Sequence, residues 1–301
     1  MHMSLDERIA SKTLTSVDPI PETLSIPSPL GDLPAQWWRS NSPRTLGSIF
    51  YLHGGGFMFG APDDLPFEMI NALTGWGHHI VAIGYPLAPE ASLQMITTAV
   101  VTAYDWWVSH QQSVIGSVPL VQLIMGRSAG AYLAQALTAT LINRHQLTPD
   151  GLILFYGYSH FDQPDFIHPS PTYLRYPLLK STDVQHLMHQ GLRTSAKPTE
   201  CIPLYIHARQ HGKWLELIGI TRDDFAALDL RPYIPSFPRT FLAASTDDPD
   251  VPYPNTRMYH QHHPSSHLFT VQGKIHDFDQ QDHAQRKALL NELHEWLLAK
   301  P

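Results

Sequence analysis

The sequence predicts an α/β protein: a doubly wound, mostly parallel sheet carrying a helical insertion. Three observations carry that expectation. Short apolar runs alternate with helix-like stretches along most of the 301 residues. The alternation is lost once, from about residue 157 to 238, and then resumes. A Gly-x-Ser-x-Gly pentapeptide (Gly126, Ser128 and Gly130) stands between one apolar run and the helix after it. Strands buried on both faces read as near-continuous apolar runs and need crossover helices, so this order implies a parallel sheet with helices on both faces.

Taken along the chain, residues 1 to about 32 are mixed, with Pro19, Pro21, Pro27 and Pro29 limiting regular structure. A first strand pair is expected at residues 23–26 and 33–38, and short apolar strands at 48–52 and 79–85, with helical material between them at about 65–74. A long helix runs through Met95, Ala99, Tyr104, Trp107 and Val108, and the apolar run 118–125 leads into the pentapeptide. A helix begins at about Ala131, and a further strand is expected at 151–156. The stretch that follows is rich in Pro, His and Tyr, with a helix expected near 183–192. Strands return at 239–245 and 267–272, and Leu289, Leu293, Trp296 and Leu297 mark a closing helix at helical spacing. An insertion of this kind belongs above the carboxyl edge of the sheet, where α/β proteins hold their ligands.

Composition narrows the function classes. An apolar fraction of 43% with 16% charged residues describes a globular chain and not a disordered one. A net charge of −7 argues against nucleic-acid and anionic-membrane partners, both of which need basic patches. No apolar run approaches a membrane span, the first residues show no signal-peptide core, and the lone Cys201 has no internal disulfide partner. A cytoplasmic protein is therefore expected. The nineteen histidines are scattered, and His260, His262 and His263 lack a context that would converge them on one ion, so no metal is expected.

The pentapeptide carries chemistry because a serine between strand and helix sits on a sharp turn, its hydroxyl raised above the sheet edge. A serine hydroxyl needs a base within hydrogen-bond reach and a third group to orient that base. The partners are expected at the ends of later strands, in the order acid and then histidine. His276 lies after the last expected strand and before the closing helix; Asp247, Asp248 and Asp250 crowd the loop after the strand ending at Ser245, and composition does not choose among them. One aspartate could instead cap the helix expected after Pro252. His53-Gly54-Gly55-Gly56 follows the strand at 48–52, and its glycines permit a backbone that turns N–H groups outward toward an oxyanion. No Gly-Lys-Ser/Thr follows and no Gly-x-Gly-x-x-Gly opens a helix, so no nucleotide cofactor is expected.

These blocks resemble the α/β-hydrolase fold, and within it the hormone-sensitive-lipase-like carboxylesterases. The resemblance rests on His53-Gly54-Gly55-Gly56-Phe57, on Tyr85-Pro86-Leu87-Ala88-Pro89-Glu90 and on Gly126-Arg127-Ser128-Ala129-Gly130. It implies Ser128 as nucleophile, His276 as base and an oxyanion hole from the N–H groups of Gly55, Gly56 and Ala129. Family patterns of the Asp-Pro and Asp-x-x-Val-Pro type fall on Asp248, with Asp250 second and Asp247 third. Phe57 and Arg127 are the candidate substrate contacts, with a structural ion pair the favoured role of the two for Arg127. The family usually carries an aspartate where this chain has Arg127.

The implied division is a catalytic domain of residues 1–156 and 239–301 with a cap insertion of 157–238, the first 30 or so residues being a candidate contributor to the cap. Phe161, Phe166, Tyr173, Tyr176 and Trp214 are candidates for either pocket lining or core packing. The expected activity is hydrolysis of short-chain acyl or aryl esters through an acyl-enzyme, on a small-molecule ester, by a monomer or homodimer without cofactor. The alternatives are an amide hydrolase (peptidase or formamidase) with the same residues and a non-catalytic binding protein on the same scaffold.

Overall fold

The computed structural model describes residues 20–299, and among these eight strands form one sheet. They are β1 (Glu22–Ile26), β2 (Leu33–Trp38), β3 (Gly47–Leu52), β4 (His78–Ile83), β5 (Val121–Arg127), β6 (Gly151–Phe155), β7 (Thr240–Ser245) and β8 (Ser266–Val271). Their order is β1-β2-β4-β3-β5-β6-β7-β8; β2 runs antiparallel to both β1 and β4, and every pairing from β4 to β8 is parallel.

The central strands are apolar on both sides because both sides are covered. β3, β4, β6 and β7 are buried along their whole length. Alternate residues feed opposite cores, as the two-residue period of a strand requires. Phe50, Leu52, Ile124, Leu152 and Leu154 pack on one face with Ile96, Val100 and Trp107. Ile49, Tyr51, Leu123, Met125 and Ile153 pack on the other with Met69, Leu73, Leu289 and Leu293.

Among the described residues the α-helices are α1 (Phe67–Gly75), α2 (Leu93–Ile115), α3 (Ala129–Asn143), α4 (Pro164–Ile167), α5 (Ser181–Val184), α6 (Pro198–Gln210), α7 (Trp214–Leu217), α8 (Pro254–His262), α9 (Phe278–Gln281) and α10 (His283–Leu298). Two begin on side-chain caps: Ser92 accepts from the Met95 N–H before α2, and Asp282 accepts from Ala284 and Gln285 before α10. None of the described helices is long and apolar enough to cross a membrane.

The segment between β6 and β7 adds no strand to the sheet and differs from expectation within. The helix expected at 183–192 is only the single turn α5 followed by a 3₁₀ turn, Gln185–Leu187. The substantial helix is α6, which begins on Pro198 and carries Pro203 inside. Proline suits the first helical position but removes one interior N–H, which makes the sequence read as broken. Burial of Cys201, Leu204, Tyr205 and Ala208 outweighs that loss. Of the N-terminal stretch proposed to contribute to a cap, residues 1–19 lie outside the described residues; Glu22–Ile26 pairs with the sheet as its edge strand.

Candidate active site

Four loops at the carboxyl ends of β3, β5, β7 and β8 meet in one place. Ser128 follows β5 directly and heads α3, with φ 52° and ψ −119°, a left-handed conformation that costs a non-glycine residue energy. The turn is this tight because its flanks have no room for side chains. A Cβ on Gly126 would stand 2.2 Å from the Gly130 carbonyl oxygen, and one on Gly130 would stand 2.1 Å from that of Leu52. The Ser128 N–H is anchored on the Phe155 carbonyl at 2.9 Å, so the hydroxyl is what remains facing the cavity.

His276 lies between β8 and α9. Its Nε2 is 3.0 Å from Ser128 Oγ and its Nδ1 is 2.7 Å from Asp248 Oδ2. A carboxylate only accepts, so Nδ1 carries the proton, and in the neutral ring Nε2 is left to accept from the serine hydroxyl. The imidazole is mostly covered, 18% exposed, while the Asp248 carboxylate is 1% exposed. Burial alone would lower the His276 pKa; the Asp248 charge and hydrogen bond outweigh it, with Asp250 and Asp277 adding, and it rises to about 9. The Tyr156 ring lies 4.6 Å from the imidazole, centroid to centroid.

Of the three aspartates, Asp248 is the one that meets His276. Its Oδ1 accepts from the N–H groups of Asp250 and Val251 at 2.8 and 2.9 Å, which aims Oδ2 at the ring. Asp250 points elsewhere, to Arg209 and Tyr205. Asp247 is exposed, its carboxylate on the Thr246 hydroxyl. The acid and histidine loops are laced together: Asp247 N–H donates to Gly273 O, Gly273 N–H to Thr246 Oγ1, and the Ser245 hydroxyl to Ile275 O.

Gly55 and Gly56 have φ of 97° and 58°. Their N–H groups donate to no backbone carbonyl among the turn and loop hydrogen bonds of the described residues. A Cβ on Gly56 would stand 2.4 Å from the Tyr205 ring, so the loop and the inserted segment pack without space between them. As the first residue of α3, Ala129 has a free N–H by helix geometry. Gly54, Gly55, Ser128, His276, Tyr173 and Tyr205 all line one cavity of about 1160 Å³.

Two expected substrate contacts stand differently. Phe57 is a correction: it is fully buried and absent from the cavity wall, its ring stacked on Trp214 at 6.2 Å and edge-on to Tyr132. A φ of 64° after the glycines turns this residue into the core. Arg127 does border the cavity, yet its guanidinium is spent on Asp279 at 3.0 Å, on the Tyr156 hydroxyl at 2.7 Å and on Asp64, with 3% of the side chain exposed. Tyr173 and Tyr176 line the cavity, whereas Phe161, Phe166 and Trp214 are buried core. Tyr156, Tyr205, Arg209 and Asp279 are site neighbours that sequence reasoning missed; only Tyr156, at the end of an expected strand, carried a signal.

The histidines at 260, 262 and 263 bond to Ser266 Oγ, Met258 O and Pro238 O respectively. No group of three or more metal-ligating side chains comes together among the described residues.

A family model described as alpha/beta hydrolase fold matches residues 49–213. The acetyl esterases of Salmonella paratyphi A and Salmonella agona are 29% identical over 139 residues, 45% of this chain and 42% of theirs, so the chain matches less than half the length of these curated relatives. A protein of unknown function from Staphylococcus aureus subsp. aureus Mu50 superposes with TM-score 0.79 at 27% identity, covering 92% of this chain and 98% of that one. An alpha/beta hydrolase superfamily protein from Enterococcus faecalis shares the fold with TM-score 0.81 at 24% identity, over 93% and 98% of the two chains.

Proposed function

The chain belongs to the α/β-hydrolase family, and from that premise we propose that it is a serine carboxylesterase acting on small-molecule esters of short acyl chains. One observation carries the reading: the hydrogen-bonded series Asp248, His276, Ser128, which opens on a cavity. Likeness to the Salmonella acetyl esterases supports the short acyl group.

The geometry supports this sequence of steps. Ser128 Oγ attacks the acyl carbon while His276 Nε2 takes its proton; Asp248 holds the ring and stabilises the imidazolium. The N–H groups of Gly55, Gly56 and Ala129 would receive the oxyanion in a site that needs no reorganisation. Collapse breaks the ester C–O bond, and His276 returns the proton to the leaving alcohol. Water then attacks the Ser128 acyl group with His276 as base, releasing the acid and restoring the hydroxyl. In this reading residues 157–238 act as a cap, with Tyr173, Tyr176 and Tyr205 shaping the pocket. Arg127 serves as a structural ion pair with Asp279 and Asp64 rather than as a substrate contact.

The test is hydrolysis of p-nitrophenyl acetate by Ser128→Ala. A fall of roughly 10³-fold or more is expected; an unchanged rate would remove Ser128 from the chemistry.

A further inference from the structure

Asp250, two residues past the carboxylate that meets His276, has a partner set of its own. It forms an ion pair with Arg209 of α6, and the Tyr205 hydroxyl donates to it at 2.9 Å. The Tyr173 hydroxyl faces it as well. Arg209 is 2% exposed and fixed from several sides. It donates to Tyr205 Oη at 2.8 Å and to the Asp165 carbonyl at 3.2 Å, and lies 5.5 Å over the Trp214 ring. All these partners come from the segment between β6 and β7. On its other side, Asp250 presents the N–H that orients Asp248 Oδ1. A continuous series therefore runs from α6 through Arg209, Asp250, Asp248 and His276 to Ser128.

We propose that Asp250, gripped by Arg209, Tyr205 and Tyr173, is a positioning residue that couples the inserted segment to the proton-transfer series. This rests on reading Ser128, His276 and Asp248 as the reacting groups. Tyr173 and Tyr205 also line the cavity, so the wall that meets a substrate is the wall that holds the acid loop. Burial alone would raise the Asp250 carboxyl, but the Arg209 guanidinium holds it below the usual carboxylate range, so it stays charged. That charge faces His276, together with those of Asp248 and Asp277. The ring also meets the Ser128 hydroxyl and Tyr156, whose hydroxyl accepts from Arg127.

The test uses the full chain with Asp250→Asn and with Arg209→Met/Asp250→Asn, the double variant leaving no unpaired buried charge that could prevent folding. Two quantities are read: the pH dependence of kcat/KM on p-nitrophenyl acetate, and the NMR titration of the His276 ring, assigned against His276→Gln. Asp250→Asn removes a negative charge facing the imidazole and leaves Arg209 unopposed, and both lower its pKa. The acid limb and the NMR titration are expected to move to lower pH by about half a unit or more, and kcat to fall roughly ten-fold or more. The double variant is expected to return the titration part-way while kcat stays low, because the grip is still missing. A titration and kcat unmoved in Asp250→Asn, with only thermal stability lost, would overturn the proposal. A wild-type chain that hydrolyses no ester would instead sink the reading of the site, and the NMR titration would still judge the coupling.

Discussion

Replacing Arg127 with methionine should destabilise the protein far more than a surface charge would. The Arg127 side chain is 3% exposed and Asp279 is 0% exposed, so the variant leaves a carboxylate buried without its counter-charge. Breaking a buried pair from one side costs about 3–5 kcal/mol. The Tyr156 hydroxyl still donates to Asp279 at 2.7 Å, and Asp64, at 24% exposure, recovers water, so the lower end applies. About 3 kcal/mol corresponds to a melting point lower by about 6–10 °C in a chain of this size. The assay is a double-mutant cycle with Asp279→Asn by urea unfolding. Neutralising both partners should recover about 2 kcal/mol relative to the sum of the single losses. A loss below about 1 kcal/mol for Arg127→Met, or simple additivity, would refute the reasoning that this buried pair, and not a substrate, uses the arginine.

Other expectations follow from the same geometry. Because His276 is raised to about 9, the acid limb of kcat/KM should lie above an unperturbed histidine's 6.5; Asp248→Asn should move it downward. The same variant should lower kcat by about 10³–10⁴-fold. A pKa raised on folding also means that protonated His276 stabilises the fold. That contribution is complete below about 6.5 and lost as pH rises through about 9, as urea midpoints of wild type and His276→Gln across pH would record. Phe57→Ala should cost about 3–5 kcal/mol of stability, as a core truncation does. A raised KM at unchanged stability would return the ring to the cavity wall.

What could be read from the sequence was what depends on neighbours along the chain. β3, β4, β6 and β7 were legible because burial on both faces leaves apolar runs. Ser128 and His276 were legible because each sits at a change from strand to helix. The resemblance ranked Asp248 first, and Asp248 is the one that meets His276. Loop composition alone did not make the choice, because the order of residues in a loop says nothing of where each carboxylate points. It is decided by Arg209, 41 positions before Asp250, on a helix whose Pro198 and Pro203 disguised it. Arg127 meets Asp279 across 152 positions, a pairing that only the parallel arrangement of β5 and the strands beyond it brings about. Phe57 was misjudged for a local reason, since its positive φ turns the ring away from the cavity that its neighbours line.

The central claim is that Ser128 is a nucleophile activated by His276. A fluorophosphonate probe reports this directly, through the peptide that carries the adduct after digestion and mass spectrometry. The account predicts one adduct, on Ser128, formed by wild type, abolished in Ser128→Ala and strongly slowed in His276→Gln. An unlabelled wild-type chain, or an adduct on another residue that survives Ser128→Ala, would contradict it.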